Sequence, residues 1–143
     1  MAVINYVTEI RFGPGSAAEL AQVCQTLGFE KPLFITDKGV VAAGLIDRIL
    51  SMNDLPHFHV FDGTPSNPTE AATREGVASF QQAGCDGIVA VGGGSSIDLA
   101  KAVAVAARHP GALRQFALIE GGLSRVTAAT VPVVAIPTTA GTG

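Results

Sequence analysis

Basic residues are scarce in this 143-residue sequence: nine Lys and Arg stand against twelve Asp and Glu, a formal charge of −3. A mildly acidic chain carries no electrostatic footprint for nucleic acid or for an anionic membrane surface. Charged residues amount to only 15% while hydrophobic residues reach 48%, which excludes a disordered tail and predicts a well-filled core. Cysteine is rare as well. Cys24 and Cys85 show no C-x-x-C spacing and fall in apolar helix or turn contexts, so free, partly buried thiols in a reducing compartment are expected. No apolar run approaches the ~18 residues that cross a bilayer. Met1–Tyr6 lacks a basic stretch followed by an apolar one, so no secretory signal is expected and the protein reads as soluble and cytoplasmic. The length fits one ordinary domain.

Glycine and proline, by contrast, are plentiful at 17 and 8 residues, and without a repeat period they mark tight turns between short elements. Val3–Phe12 alternates loosely up to the turn Gly13-Pro14-Gly15. Ser16 is then placed to cap a helix to about Leu27, with Glu19 completing a capping box. Pro32–Thr36 reads as a strand buried on both faces. Val40–Met52 has helical spacing, with Leu45, Ile49 and Met52 on one stripe. His57–Phe61 is another strand, Pro68 or Thr69 opens a helix through about Ala83, and Gly84 closes it. Gly87–Val91 is a strand, Ser95–Arg108 a helix and Val131–Ile136 a strand. Strands alternating with helices predict an α/β fold, a parallel sheet with helices on both faces. In such sheets ligands bind along the edge formed by the strands' carboxyl ends.

The residues just after each strand are therefore the ones that bear on function. Gly92-Gly93-Gly94-Ser95-Ser96-Ile97-Asp98 follows one strand and opens a helix. Glycines let a ligand approach the backbone, and the amides of Gly94, Ser95 and Ser96 would be free donors where the helix dipole favours an anion. A phosphate or pyrophosphate is the natural occupant; a plain turn capped by Ser95 is the simpler alternative. Ile97 stands where the usual dinucleotide fingerprint needs glycine, and no Gly-Lys-Ser/Thr follows, so both familiar nucleotide motifs fail. Asp98 and Lys101 share a helix face, either as a surface ion pair or with Lys101 reaching back to a ligand. Thr138 and Thr139 follow the last strand, with hydroxyls for phosphate or ribose oxygens or for their own turn. Asp37 closes an earlier strand, either as a ribose acceptor that would repel a 2′-phosphate or as a helix N-cap. His57 and His59 lack a third partner for a metal site and read as structural, and His109 needs no role beyond the helix dipole.

Two blocks, Gly92-Gly93-Gly94-Ser95-Ser96-Ile97-Asp98-Leu99-Ala100-Lys101 and Ile136-Pro137-Thr138-Thr139-Ala140-Gly141-Thr142-Gly143, together resemble the iron-containing (group III) alcohol dehydrogenases. Phe12-Gly13-Pro14-Gly15 and Asp62-Gly63 with Asn67-Pro68-Thr69 look like two further signatures of that family. The resemblance implies a Rossmann-like dinucleotide-binding domain over residues 1–143. It implies an enzyme that interconverts an alcohol with an aldehyde or ketone by hydride transfer, using NAD in preference to NADP. It further implies that Gly93, Gly94 and Ser95 hold the pyrophosphate with Thr138 and Thr139 nearby, that Asp37 faces the adenosine ribose, and that Asn67 lines the cleft. Asp98 and Lys101 would stand toward the nicotinamide and the small-molecule substrate.

The family holds its metal, Fe²⁺ or Zn²⁺ acting as a Lewis acid, with an Asp and three His in a second, all-helical domain. Those ligands are absent here, and the family's threonine motif runs on to Ser-Glu. The sequence is therefore expected to be the N-terminal part of a longer enzyme, inactive alone, and a homodimer or larger homo-oligomer through the N-terminal strand region. A maleylacetate reductase-like or glycerol dehydrogenase-like relative, a non-catalytic nucleotide-binding module, and a module for another phosphorylated ligand are the competing readings.

Overall fold

The computed structural model describes residues 8–140. Four parallel strands, β1 (Pro32–Ile35), β2 (His59–Phe61), β3 (Gly87–Gly92) and β4 (Val133–Pro137), form one sheet in the order β2-β1-β3-β4. The register pairs Phe34 with Val60 on one side and with Val89 on the other, and Ala90 with Ala135. Successive side chains of a strand point to opposite faces. Leu33, Ile35, Ile88 and Ala90 accordingly enter one apolar layer, beneath α4 (Glu70–Gln82) and α5 (Gly94–Ala106). Phe34, Val89 and Val91 enter a second layer, covered by α1 (Leu20–Thr26), α2 (Lys38–Ala42) and α3 (Leu45–Ser51). The α/β expectation with helices on both faces is met, and the continuous apolar runs of β1 and β3 are what burial on both faces demands. No helix among the described residues is long and apolar enough to cross a membrane.

Local structure departs from the sequence pattern in several places. Residues 8–12 form no strand, with Ile10 and Phe12 exposed, and residues 3–7 lie outside the described residues. Ser16–Glu19 is a 3-10 turn entered from Gly15 at φ 81°, with no side-chain cap. The expected capping box does not form, because the Glu19 carboxylate instead accepts from Arg11 Nη1 at 2.7 Å. The helix expected over residues 40–52 is two helices, broken after Ala43 by Gly44 at φ 74°. Ile46 and Ile49 form its buried stripe, while Met52 is exposed. β2 begins at His59 rather than His57, and β4 runs Val133–Pro137 rather than 131–136. Thr69 caps α4 by accepting from Ala72 N–H at 3.1 Å, and Gly84 closes it at φ 65°, both as expected.

His109 has more to do than face a helix dipole. It is buried, its Nδ1 lies 2.8 Å from the Val105 carbonyl, and its Nε2 accepts from Thr127 N–H at 3.0 Å. A carbonyl can only accept and an amide can only donate, so these partners select the Nδ1–H tautomer. The imidazole thereby ties the end of α5 to the turn that leads into β4. Both cysteines are free and buried. Burial pushes the Cys24 thiol up to about 11 and raises Cys85 as well, so neither supplies a thiolate near neutral pH.

The sheet leaves no room between β3 and the chain that follows α1. A Cβ added at Gly87 would lie 2.1–2.6 Å from the ring of Phe29, itself 1% exposed. Overpacking a filled core costs about 1–3 kcal/mol. Gly87→Ala is expected to lower the unfolding free energy by about that much in denaturant titration, and an unchanged midpoint would show that the Phe29 ring moves freely.

Candidate functional site

Strand order decides where a ligand fits. β1 connects toward β2 on one side, whereas β3 lies on the other side of β1, so the order reverses between the carboxyl ends of β1 and β3. Such a reversal opens a crevice. A cleft of about 770 Å³ lies there, walled by Asp37 after β1, the 62–66 stretch after β2, Gly93–Ser96 after β3 and Thr138–Thr139 after β4.

The wall after β3 is built from backbone. Gly92 sits at φ 152°, and a Cβ there would come within 2.6 Å of Ser96 Oγ, so only glycine makes the turn. Gly93 is extended and α5 starts at once with Gly94, with no side chain capping it. Ser95 is therefore not the N-cap that the simpler alternative required; it lies inside the first turn. Its hydroxyl donates to the Ser66 carbonyl, which fastens the loop after β2 to the start of α5. The first N–H groups of a helix have no partner within it. Those of Gly94, Ser95 and Ser96 are left for a ligand, at the positive end of a 13-residue helix.

Asp37 takes the capping role weighed for it, and only one of its two oxygens is engaged. Its Oδ1 accepts from Val40 N–H at 2.9 Å and so caps α2. Its Oδ2 lies toward Gly92, 3.7 Å from where a Cβ would stand, and remains open to a donor in the cleft. On the opposite wall, Thr138 N–H donates to the Gly92 carbonyl at 2.9 Å, continuing the ladder beyond β4. Thr139 Oγ1 lies 3.2 Å from the Cβ position of Gly93, so the threonines rest against the glycine loop. Three hydroxyls, those of Thr36, Thr64 and Ser96, are buried here without a partner.

Of the residues singled out from sequence, Asp37, Gly93, Gly94, Ser95, Thr138 and Thr139 share this cleft. Asn67 is exposed and does not line it, although the loop that carries Asn67 does. Asp98 and Lys101 form an exposed ion pair at 3.8 Å, also outside the lining. Lys38, Thr64 and Ser66 were missed, while Asp62 stood out only within a signature and Ser96 only through its backbone amide. Only the Asp62-Gly63 signature pointed toward them, and which of its neighbours face the cleft depends on the path of the loop. His57 and His59 are both exposed. Among the described residues no group of three or more His, Cys, Asp or Glu converges to hold a metal ion.

The model of one family, described as iron-containing alcohol dehydrogenase, matches residues 7–143. The chain is 51% identical over 143 residues to 4-hydroxybutyrate dehydrogenase of Cupriavidus necator, covering all of this chain and 37% of that protein. The fold matches the crystal structure of a 1,3-propanediol oxidoreductase with TM-score 0.80 at 38% identity, over 91% of this chain and 34% of the other. It also matches a sulfoacetaldehyde reductase from Bifidobacterium kashiwanohense in complex with NAD⁺, with TM-score 0.83 at 27% identity, over 99% and 38%. The chain thus spans little more than a third of the length of these relatives.

The cap and the charge of Asp37 are separable. Asp37→Asn keeps an oxygen for Val40 N–H, whereas Asp37→Ala removes it and is expected to cost about 0.5–2 kcal/mol. Denaturant titration checks this: equal stability of the two variants would contradict the capping role.

Proposed function

Since the chain belongs to the iron-containing alcohol dehydrogenase family, we propose that its cleft binds NAD(H) and forms the cofactor-binding half of an oxidoreductase acting on alcohols. The observation that carries the reading is the uncapped N-terminus of α5, which opens into the cleft opposite the open carboxylate oxygen of Asp37. The residues present fit a dinucleotide. The amides of Gly94, Ser95 and Ser96 would hold the pyrophosphate, aided by the helix dipole. Asp37 Oδ2 would accept from a ribose hydroxyl, and its charge would disfavour a 2′-phosphate, hence NAD over NADP. Thr138 and Thr139 would line the path to the nicotinamide, and Asn67, Asp98 and Lys101 would meet the cofactor or substrate outside the lined cleft.

When bound, the nicotinamide supplies the hydride acceptor or donor. This chain's own contribution is to bind and orient it. The glycine loop brings backbone donors to the phosphates without a Cβ in the way, and the Ser95–Ser66 bond sets the width of the cleft. The metal expected of the family, Fe²⁺ or Zn²⁺, finds no ligand cluster among the described residues. In the full-length protein the reaction would interconvert an alcohol with an aldehyde or ketone. The identity to 4-hydroxybutyrate dehydrogenase favours a hydroxy acid as the first substrate to test.

A hydrogen bond to a charged group contributes about 1.5–3 kcal/mol. In the full-length protein, Asp37→Asn is therefore expected to weaken NADH binding by about 10-fold or more, read from cofactor fluorescence, with α2 still capped. Undiminished NADH affinity would remove Asp37 from the ribose site.

A further inference from the structure

We propose that Asp62 is a second cofactor-discriminating carboxylate, standing outboard of Asp37 and opposing a 2′-phosphate on the adenosine ribose. The inference rests on the NAD(H) reading and names a further determinant of it. Three formally charged side chains line the cleft: Asp37, Asp62 and Lys38. Strand order fixes their succession. The glycine loop follows β3, Asp37 follows β1 and Asp62 follows β2, and those three strands are neighbours in that order. Parallel neighbours lie about 4.8 Å apart, so the end of β2 stands on the order of 10 Å from the glycine loop, with Asp37 between.

Two backbone ties keep Asp62 at that place. Asp37 and Gly63 form an isolated antiparallel bridge, and Thr64 N–H donates to the Thr36 carbonyl at 3.3 Å. Asp62 is thereby held beside Asp37. Neither Asp62 nor Lys38 forms an ion pair among the described residues, so both charges stay unneutralised and act at a distance. With the pyrophosphate on α5 and the ribose at Asp37, the ribose would stand between the glycine loop and the end of β2, with its 2′ position within reach of Asp62. A hydroxyl there finds acceptors. A phosphate, carrying about −1.5 to −2 charges, meets two carboxylates and a single ammonium.

The test measures Kd for NADH and NADPH with the full-length protein, at low and at high salt. Asp62→Asn is expected to lower the NADPH/NADH Kd ratio by about 3–10-fold at low salt. The effect should shrink as salt rises, because exposed charges are screened beyond about 8–10 Å. A purely structural role for Asp62 produces no salt-dependent change in that ratio. Lys38→Met, which removes the opposing charge, is expected to move the ratio the other way, and Asp62→Ser supplies the same reading if Asp62→Asn does not fold. A ratio unmoved by loss of the Asp62 carboxylate, in proteins where Asp37→Asn does move it, overturns the inference and leaves the NAD(H) reading standing. Failure of the unsubstituted protein to bind either dinucleotide overturns that reading and this inference with it.

Discussion

The carboxyl edge of the sheet is organised around one constraint, the helix α5 beginning directly after β3 with its first amides uncovered. Gly92 makes the turn at φ 152°, Ser96 packs where its Cβ would be, and no side chain closes the helix end. α1 and α3 also start without a side-chain cap, but the two helices that directly follow β1 and β2 are closed. Asp37 caps α2 and Thr69 caps α4. Leaving a cap out costs a helix about 0.5–2 kcal/mol. The open end is found where the cleft lies, and the cap beside it belongs to the residue whose second oxygen faces the same space.

The surrounding polar groups fit the same pattern. Thr36 and Ser96 are almost wholly buried, and their hydroxyls, with that of Thr64, have no partner. An unmet buried hydroxyl costs about 1–3 kcal/mol. These groups gather at the edge that carries the cleft, while the two apolar layers on either side of β1 and β3 are fully packed. Stability comes from the layers, and the unsatisfied hydroxyls sit where a ligand would enter.

Much of this architecture is legible in the sequence because each strand of the sheet is a short apolar run bounded by turn residues. β1 and β3 are buried on both faces, so their runs are unbroken and easily found. The glycine loop and the threonines announce themselves by composition, and six of the nine expected site residues share the cleft. The failures have physical causes. The 40–52 helix breaks at Gly44 because a left-handed residue interrupts an otherwise continuous helical spacing. Ser16 looks like a cap, yet the chain enters from a left-handed Gly15 and Glu19 is drawn to Arg11. Lys38 and Ser66 escape notice, and Asp62 stands out only as part of a signature, because their place in the cleft follows from strand order and from the Ser95–Ser66 bond, neither of which a local motif encodes.

Cofactor binding turns on what occupies the open end of α5. A crystal structure of the full-length protein with NADH tests this most directly. Pyrophosphate oxygens are expected about 2.7–3.2 Å from the amides of Gly94, Ser95 and Ser96, with the adenosine ribose at Asp37. A dinucleotide bound elsewhere, with those amides facing only solvent, would contradict it.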